Sequence, residues 1–112
     1  MGVHDMKVIV TLATAAAVTV AAGGVQAQGV GDARDGLATA REVCAECHAI
    51  QKGQARSPNA RSPTFVELAN APGMTAAALT VALTTPHAGM PMFILTPAQR
   101  ANIIAYILGL KE

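Results

Sequence analysis

The chain is short and nearly neutral, which limits both its size class and its partners. Its 112 residues suffice for one domain, and eight Lys or Arg against seven Asp or Glu give a formal net charge of +1. This charge is too balanced for a nucleic-acid-binding protein. The chain has one Tyr, two Phe and no Trp. A domain this small and this poor in aromatic residues is expected to need a cross-link or a bound apolar group for its stability.

Residues 1–27 are predicted to be a signal peptide. Lys7 precedes an uncharged stretch at residues 8–22, and V-Q-A at residues 25–27 gives the small-x-small ending of a cleavage site. The alternative is a retained membrane anchor, but residues 8–22 are shorter than the ~20 residues that span a bilayer. We therefore expect cleavage after Ala27, export to the periplasm, and a single mature domain at residues 28–112.

The first helix of that domain is predicted to begin at an Asp32 N-cap and to run to about Cys47. Residues suited to a buried stripe recur at spacings of three and four. They are Leu37, Ala40, Val43, Cys44 and Cys47. Gly36 lies inside this helix, where it costs about 0.5–1 kcal/mol relative to Ala but permits another helix to cross closely.

The helix leads into C-A-E-C-H at residues 44–48, the most informative motif of the chain. Two cysteines three apart followed at once by a histidine are typical of c-type haem attachment. On a helix these positions share one face, so Cys44, Cys47 and His48 would point the same way. Two thioether bonds and one imidazole–iron bond could then form to one haem.

Three other interpretations of the two cysteines remain open at this point. A redox dithiol would place C-x-x-C at the start of a helix after a strand, and no strand pattern precedes it. A zinc site needs four ligands, so it would have to recruit His87 as well as His48. A plain disulfide between Cys44 and Cys47 is the third interpretation.

Residues 49–62 lack periodicity and are rich in Gly, Ser, Pro and Asn, which predicts an irregular loop. An iron-bound histidine normally donates its second ring N–H to an acceptor, and the backbone of residues 57–59 is a candidate for that acceptor, with an ordinary turn as the alternative. Lys52, Arg56 and Arg61 could form a basic fringe that steers an acidic redox partner, or could simply be solvated charges.

Two short helices should follow. Ser62 and Pro63 resemble an N-cap followed by Pro at N1, which predicts a helix carrying Phe65, Leu68 and Ala69 on one face. Residues 70–73 (N-A-P-G) would end it. Thr75 is predicted to cap a second helix that runs to about Thr84.

A methionine-rich loop, T-P-H-A-G-M-P-M-F at residues 85–93, supplies the second candidate iron ligand. A methionine opposite the histidine raises the reduction potential of a haem. Met90 is favoured because Pro91 holds it extended. Met92 is the rival ligand, and His87 is either a ligand that would give a lower potential or an exposed loop histidine.

The last helix is the most strongly predicted element. Thr96 and Gln99 form a T-x-x-Q capping box with Pro97 at N1. Its apolar stripe repeats at i, i+3, i+4 and i+7. The stripe consists of Ile103, Tyr106, Ile107 and Leu110. Since no segment alternates convincingly at period two, the fold is predicted to be all-α.

With these motifs in order, residues 28–112 closely resemble class I cytochromes c. The resemblance rests on Gly31-Asp32 and Gly36, C-A-E-C-H, residues 57–59, the G-M-P-M-F loop and residues 103–107. It implies several helices wrapped around one covalent haem c whose iron is held by His48 and Met90. It further implies that the first and last helices cross near Gly36 and Tyr106, and that the Pro58 carbonyl accepts a hydrogen bond from His48. One departure is Ala40, where the family usually has an aromatic residue.

The predicted function is a soluble, monomeric, periplasmic electron carrier of a respiratory chain rather than an enzyme. Its partners would be redox proteins of the dehydrogenase or oxidase type, and a role as the electron-accepting subunit of one dehydrogenase is a related possibility. The alternative is a haem enzyme or gas sensor in which the methionine loop swings away from the iron. No further catalytic constellation supports that alternative.

Overall fold

The computed structural model describes residues 31–112, where the chain forms four α-helices. They are α1 (Ala33–Val43), α2 (Phe65–Asn70), α3 (Ala76–Thr84) and α4 (Pro97–Leu108). No strand occurs in this part of the chain, so the predicted all-α class is confirmed. None of the helices within residues 31–112 is long and apolar enough to cross a bilayer. The predicted signal peptide lies outside the described residues and stays a prediction, as does the domain boundary at residue 28.

Helix α1 begins as predicted but ends earlier. The Asp32 carboxylate accepts hydrogen bonds from the backbone N–H groups of Arg34 and Asp35, at 2.8 and 3.2 Å. At the other end, the N–H groups of both Cys44 and Ala45 donate to the Ala40 carbonyl, each at 2.9 Å. The second of these bonds spans five residues instead of four, which widens the last turn and interrupts the regular helix. The motif therefore lies in a run of turns after Val43, not in a helix that continues to Cys47.

Helices α1 and α4 cross in close contact at two glycines. A Cβ atom on Gly36 would overlap the Asn102 carbonyl and lie 2.9 Å from the Tyr106 Cβ, and one on Gly31 would overlap the Ala101 carbonyl. The Asp32 N–H donates to the Asn102 side chain at 2.7 Å, which fixes the angle of entry into α1. The predicted crossing near Gly36 and Tyr106 is confirmed.

Helix α2 begins two residues later than a Ser62 cap with Pro63 at N1 would place it. Thr64 is the N-cap: its hydroxyl accepts from the Glu67 N–H at 3.1 Å, and the Glu67 carboxylate accepts from the Thr64 N–H at 2.6 Å. This reciprocal capping box satisfies two N–H groups, which a Ser62 cap would not do. Pro63 consequently precedes the helix, and its carbonyl is free for another partner.

Helix α4 is the central element, since α1, α2 and α3 all pack against it. Its Thr96–Gln99 capping box is present as predicted, and the predicted Thr75 cap of α3 is also confirmed. Three isoleucines of α4 are buried in the middle of the core. They are Ile103, Ile104 and Ile107. Ala40 is fully buried as well, so α1 packs tightly at this position without the aromatic side chain that is usual there.

Candidate functional site

A cavity of about 480 Å³ lies at the end of α1, among α2, α3, α4 and the methionine-rich loop. Most of its lining is apolar. The apolar lining includes Phe65, Leu68, Met74, Leu79, Leu83, Ile103 and Ile107. The volume is within the range of sites that enclose a cofactor or small ligand.

The motif supplies one wall of this cavity. Cys44, which is only 9% exposed, and His48 line it, while Cys47 lies beside them half-buried. The turns fix these positions, because the N–H groups of Cys47 and His48 both donate to the Cys44 carbonyl, at 3.2 and 2.9 Å. The structure therefore places Cys44 and His48 on one wall of the cavity, whereas Cys47 does not line it.

The orientation of His48 leaves one ring nitrogen free for a metal. Its Nδ1 lies 2.7 Å from the Pro63 carbonyl oxygen. A carbonyl can only accept, so Nδ1 is the donor in this bond, and in the neutral imidazole Nε2 is then the nitrogen with the free lone pair. The ring also packs against Phe65, with centroids 5.6 Å apart. A histidine held in this way is suited to coordinate iron through Nε2.

The predicted acceptor was wrong, because the carbonyl belongs to Pro63 and not to Pro58. The segment around Pro58 instead bonds to the backbone at the end of the motif and just after it: the Asn59 N–H donates to the Cys47 carbonyl at 3.2 Å, and the Ala49 N–H donates to the Ser57 hydroxyl at 3.0 Å. Pro58 itself is exposed and does not line the cavity. The type of interaction was correctly predicted and its residue was not.

The chemistry of the cysteines does not favour the three alternative interpretations. Burial raises the pKa of the Cys44 thiol to about 11, whereas a redox dithiol needs a lowered thiol pKa. Cys44 and Cys47 are not joined to each other. Among residues 31–112 no group of three or more His, Cys, Asp or Glu side chains is arranged to hold a metal, so a Cys2His2 zinc site is not formed. A thioether at Cys44 would carry no titratable proton, and burial would not oppose it.

The methionine-rich loop faces the same cavity through a tight turn. The Met90 N–H lies 3.4 Å from the His87 carbonyl, and Gly89 has φ of 82°, as the third residue of a type II turn requires. Met90 is half-buried and lines the cavity, and so does the more exposed His87. Met92 is 49% exposed and lines only a smaller crevice beside it. The geometry thus separates the two candidate methionines.

Polar residues of the loop that follows the motif also line the cavity. Arg61 and Asn59 line it, and Arg61 is the one Lys, Arg, Asp or Glu among the described lining residues. Lys52 instead approaches Glu112, at 3.9 Å on the exposed surface, and Arg56 does not reach the cavity. The three predicted basic residues therefore do not share one role at the site. Arg61 as a cavity residue has no sequence signal beyond its charge.

Taken as a donor set, these residues fit a covalently attached haem. Cys44 lines the cavity and Cys47 follows it in the same motif, a ring nitrogen of His48 and the thioether sulfur of Met90 are available to iron, and the interior is apolar. A guanidinium and an amide at the cavity wall suit the carboxylates that a haem carries.

Comparisons with known proteins agree with this arrangement. A family model described as "Cytochrome C oxidase, cbb3-type, subunit III" matches residues 31–107. A protein of Bradyrhizobium diazoefficiens named "Cytochrome c-552" is 36% identical over 80 residues, which cover 71% of this chain and 76% of that protein. No solved structure matches the chain significantly.

Proposed function

Since this chain belongs to the small monohaem c-type cytochromes and serves haem-based electron transfer, we propose that it is a one-electron carrier whose iron is ligated by His48 and Met90. The observation that carries the proposal is that both residues line one apolar cavity, with the Nδ1 of His48 directed at the Pro63 carbonyl and its Nε2 free of that bond. The bound haem supplies a reversible one-electron change at iron. If His48 and Met90 both bind the iron, no substrate would reach the metal.

The chain's own residues would then hold the site in the same geometry through both oxidation states. The Pro63 carbonyl fixes the ring of His48, and the type II turn at Gly89 fixes the backbone of Met90. The apolar lining excludes water, and methionine ligation in such surroundings raises the reduction potential.

The location and partners follow from the same proposal. The chain would be exported through its leader at residues 1–27 and would work in the periplasm as a monomer within a respiratory chain. Its donors and acceptors would be dehydrogenases or oxidases that it meets in brief encounters of small area. The matching family description names an oxidase subunit, which supports partners of this kind.

Two methionine variants test the ligation. Protein matured in a haem-attaching host is compared with Met90→Ala and Met92→Ala by absorption spectroscopy and redox titration. Met90→Ala should lose the ferric methionine–iron charge-transfer absorption, fall in potential and begin to bind carbon monoxide. Met92→Ala should keep all three wild-type properties, because its side chain lies outside the main cavity.

Two results would contradict the proposal. Loss of the charge-transfer band in Met92→Ala alone would assign the ligand to Met92. Ready uptake of carbon monoxide or cyanide by the wild-type protein at neutral pH would show an open sixth position, as a haem enzyme or gas sensor requires.

A further inference from the structure

The methionines of residues 31–112 differ in their access to solvent. Met74 and Met90 are half-buried and line the main cavity, so a haem bound there would cover both of them further. Met92 is 49% exposed and lines only the smaller crevice beside that cavity. Among the methionines of this part of the chain, Met92 is therefore the one that an oxidant dissolved in water reaches most easily.

This difference in access matters because the thioether of methionine can be oxidised to a sulfoxide, and the oxidant must reach a lone pair on the sulfur. In the proposed function the Met90 sulfur gives a lone pair to iron, so burial and coordination both oppose its oxidation. The sulfurs of Cys44 and Cys47 would be bonded to the haem, and Cys44 is buried as well. The Met92 sulfur has neither kind of protection, so it should react first.

Met92 also lies next to the sulfur whose loss would matter most. Pro91 alone separates it from Met90 in sequence, and both methionines line the same crevice of about 10 Å³. That volume is about the space of one water molecule, so the crevice gives a dissolved oxidant little room to pass Met92 toward Met90. A sulfoxide at Met90 would remove the thioether from the iron, whereas a sulfoxide at Met92 would leave the ligand in place.

Packing does not account for a thioether at this position. Single exposed apolar residues are ordinary, so exposure alone assigns no role to Met92. Its neighbour Ile94 is fully exposed, which shows that an aliphatic side chain is accommodated on the same stretch of chain. The property that distinguishes Met92 from such a residue is an oxidisable sulfur, accessible to solvent and beside the proposed iron ligand.

We propose that Met92 is a protective oxidation site, whose thioether reacts with hypohalous acids before they reach Met90 and so preserves the methionine ligand of the iron. This inference rests on the proposed function. In the net reaction with hypochlorous acid the sulfur gains one oxygen atom and loses two electrons, the O–Cl bond breaks, and chloride and a proton are released. Methionine sulfoxide reductases reduce the product back to the thioether, so the site can be restored.

Oxidation of the ferric holoprotein with substoichiometric hypochlorous acid tests the order of reaction. Peptide mapping by mass spectrometry measures the sulfoxide fraction at Met74, Met90 and Met92. Met92 should carry at least about fivefold more sulfoxide than either of the others, because oxidation follows exposure, and reductase treatment should remove it. As much sulfoxide at Met90 as at Met92 would overturn the proposal.

A titration with the same oxidant tests the protection itself, by the dose that removes half of the ferric methionine–iron charge-transfer absorption. In Met92→Leu this dose should fall by about one molecule of oxidant per protein, the amount that one thioether consumes. Ile94→Val is the matched control, because it changes an exposed apolar side chain nearby and no sulfur; its dose should equal that of wild type. Equal doses for wild type and Met92→Leu would overturn the proposal.

The spectrum of the oxidised protein separates protection from disruption. Wild-type protein oxidised at Met92 alone should keep its charge-transfer absorption and its potential. Loss of that absorption while Met90 is still a thioether would show that the sulfoxide displaces the ligand, and would overturn the protective role. A failure of His/Met ligation would already appear in the spectrum before any oxidant is added, whereas a failure of this inference would leave that spectrum intact.

Discussion

The hydroxyl of Tyr106 joins the last helix to the loop that follows the haem-attachment motif, and its removal gives a sharp test of the fold. It donates to the Ile50 carbonyl at 2.6 Å, across 56 residues of sequence. Ile50 is only 4% exposed, so water cannot readily replace the lost donor. In Tyr106→Phe the ring can keep its contact with Phe65, whose centroid lies 6.3 Å away. The substitution therefore removes mainly one hydrogen bond.

The expected loss follows from that burial. A hydrogen bond contributes about 0.5–1.5 kcal/mol net, and a buried acceptor left without its donor costs about 1–3 kcal/mol. We expect Tyr106→Phe to lower the free energy of unfolding by about 1–3 kcal/mol. For a domain of this size that corresponds to a fall in Tm of roughly 5–20 °C.

Unfolding of the holoprotein by guanidinium chloride and by heat, followed by circular dichroism, measures this loss of unfolding free energy. Thr39→Val is the matched control, because the Thr39 hydroxyl also donates to a backbone carbonyl, that of Asp35, at 3.0 Å but on the exposed surface. The control should lose no more than about 0.5 kcal/mol. Equal losses in the two variants, or a loss below about 0.5 kcal/mol in Tyr106→Phe, would refute the reasoning.

The same variant has a pH signature. Burial raises the pKa of Tyr106 above its ordinary value of 10.0, and the Arg41 guanidinium offsets part of that rise. A raised folded-state pKa means that the neutral phenol contributes stability fully below pH 10 and loses it as pH rises through the folded value. The stability difference between wild type and Tyr106→Phe should therefore shrink above pH 10. An unchanged difference up to the alkaline end of the titration would contradict this assignment.

Three further substitutions should follow the same physical rules in unfolding experiments. Gly36→Ala should destabilise by roughly 2 kcal/mol, because its Cβ would overlap the backbone carbonyl of Asn102, which cannot rotate away. Thr64→Ala should cost about 1 kcal/mol through loss of the capping box of α2. Lys52→Ala should change stability by less than about 0.5 kcal/mol, since its 3.9 Å pair with Glu112 is exposed.

Each of these has an internal comparison. Gly109→Ala introduces a Cβ at 3.3 Å from the nearest carbonyl oxygen on a backbone with φ of −67°, so it should be close to neutral. Similar losses at both glycines would mean that the helix crossing does not depend on Gly36. Thr75→Ala breaks a single bond to the Ala78 N–H instead of a reciprocal pair, and it should cost less than Thr64→Ala. A loss above 1 kcal/mol for Lys52→Ala would show a network that the exposed pair does not predict.

Local chemistry explains which parts of the fold the sequence predicts. The caps at Asp32, Thr75 and Thr96 are confirmed, because a side-chain oxygen needs only the N–H groups two or three residues onward. The crossing at Gly36 is also confirmed. A glycine inside a helix lowers stability, and here the absence of a Cβ lets the backbone of Asn102 approach closely. The end of α1 was not predictable from periodicity, since the five-residue bond to the Ala40 carbonyl depends on the turns that follow.

In the candidate site, too, local sequence predicts some residues and tertiary packing determines the others. Cys44, Cys47 and His48 are adjacent in sequence, so their grouping follows from the motif alone. Met90 lies far along the chain, and its approach to the cavity depends on how α3 packs against α4 and on the turn that Gly89 permits. The choice between Met90 and Met92 has structural support, yet ligation by Met90 stays a prediction until the variants are compared.

The histidine acceptor shows most clearly why proximity in sequence misleads. Residues 57–59 are closer to His48 along the chain, but they bond to the backbone of Cys47 and Ala49 and not to the ring of His48. Farther on, the Phe65 N–H donates to the Ala49 carbonyl at 2.9 Å, which ties the start of α2 to the residue after His48. With Thr64 as the cap, the free carbonyl just before the helix is that of Pro63, and it lies against Nδ1 of the ring. The identity of the acceptor is thus set by one long-range backbone bond and the start of one helix, and neither is determined by the residues around Pro58.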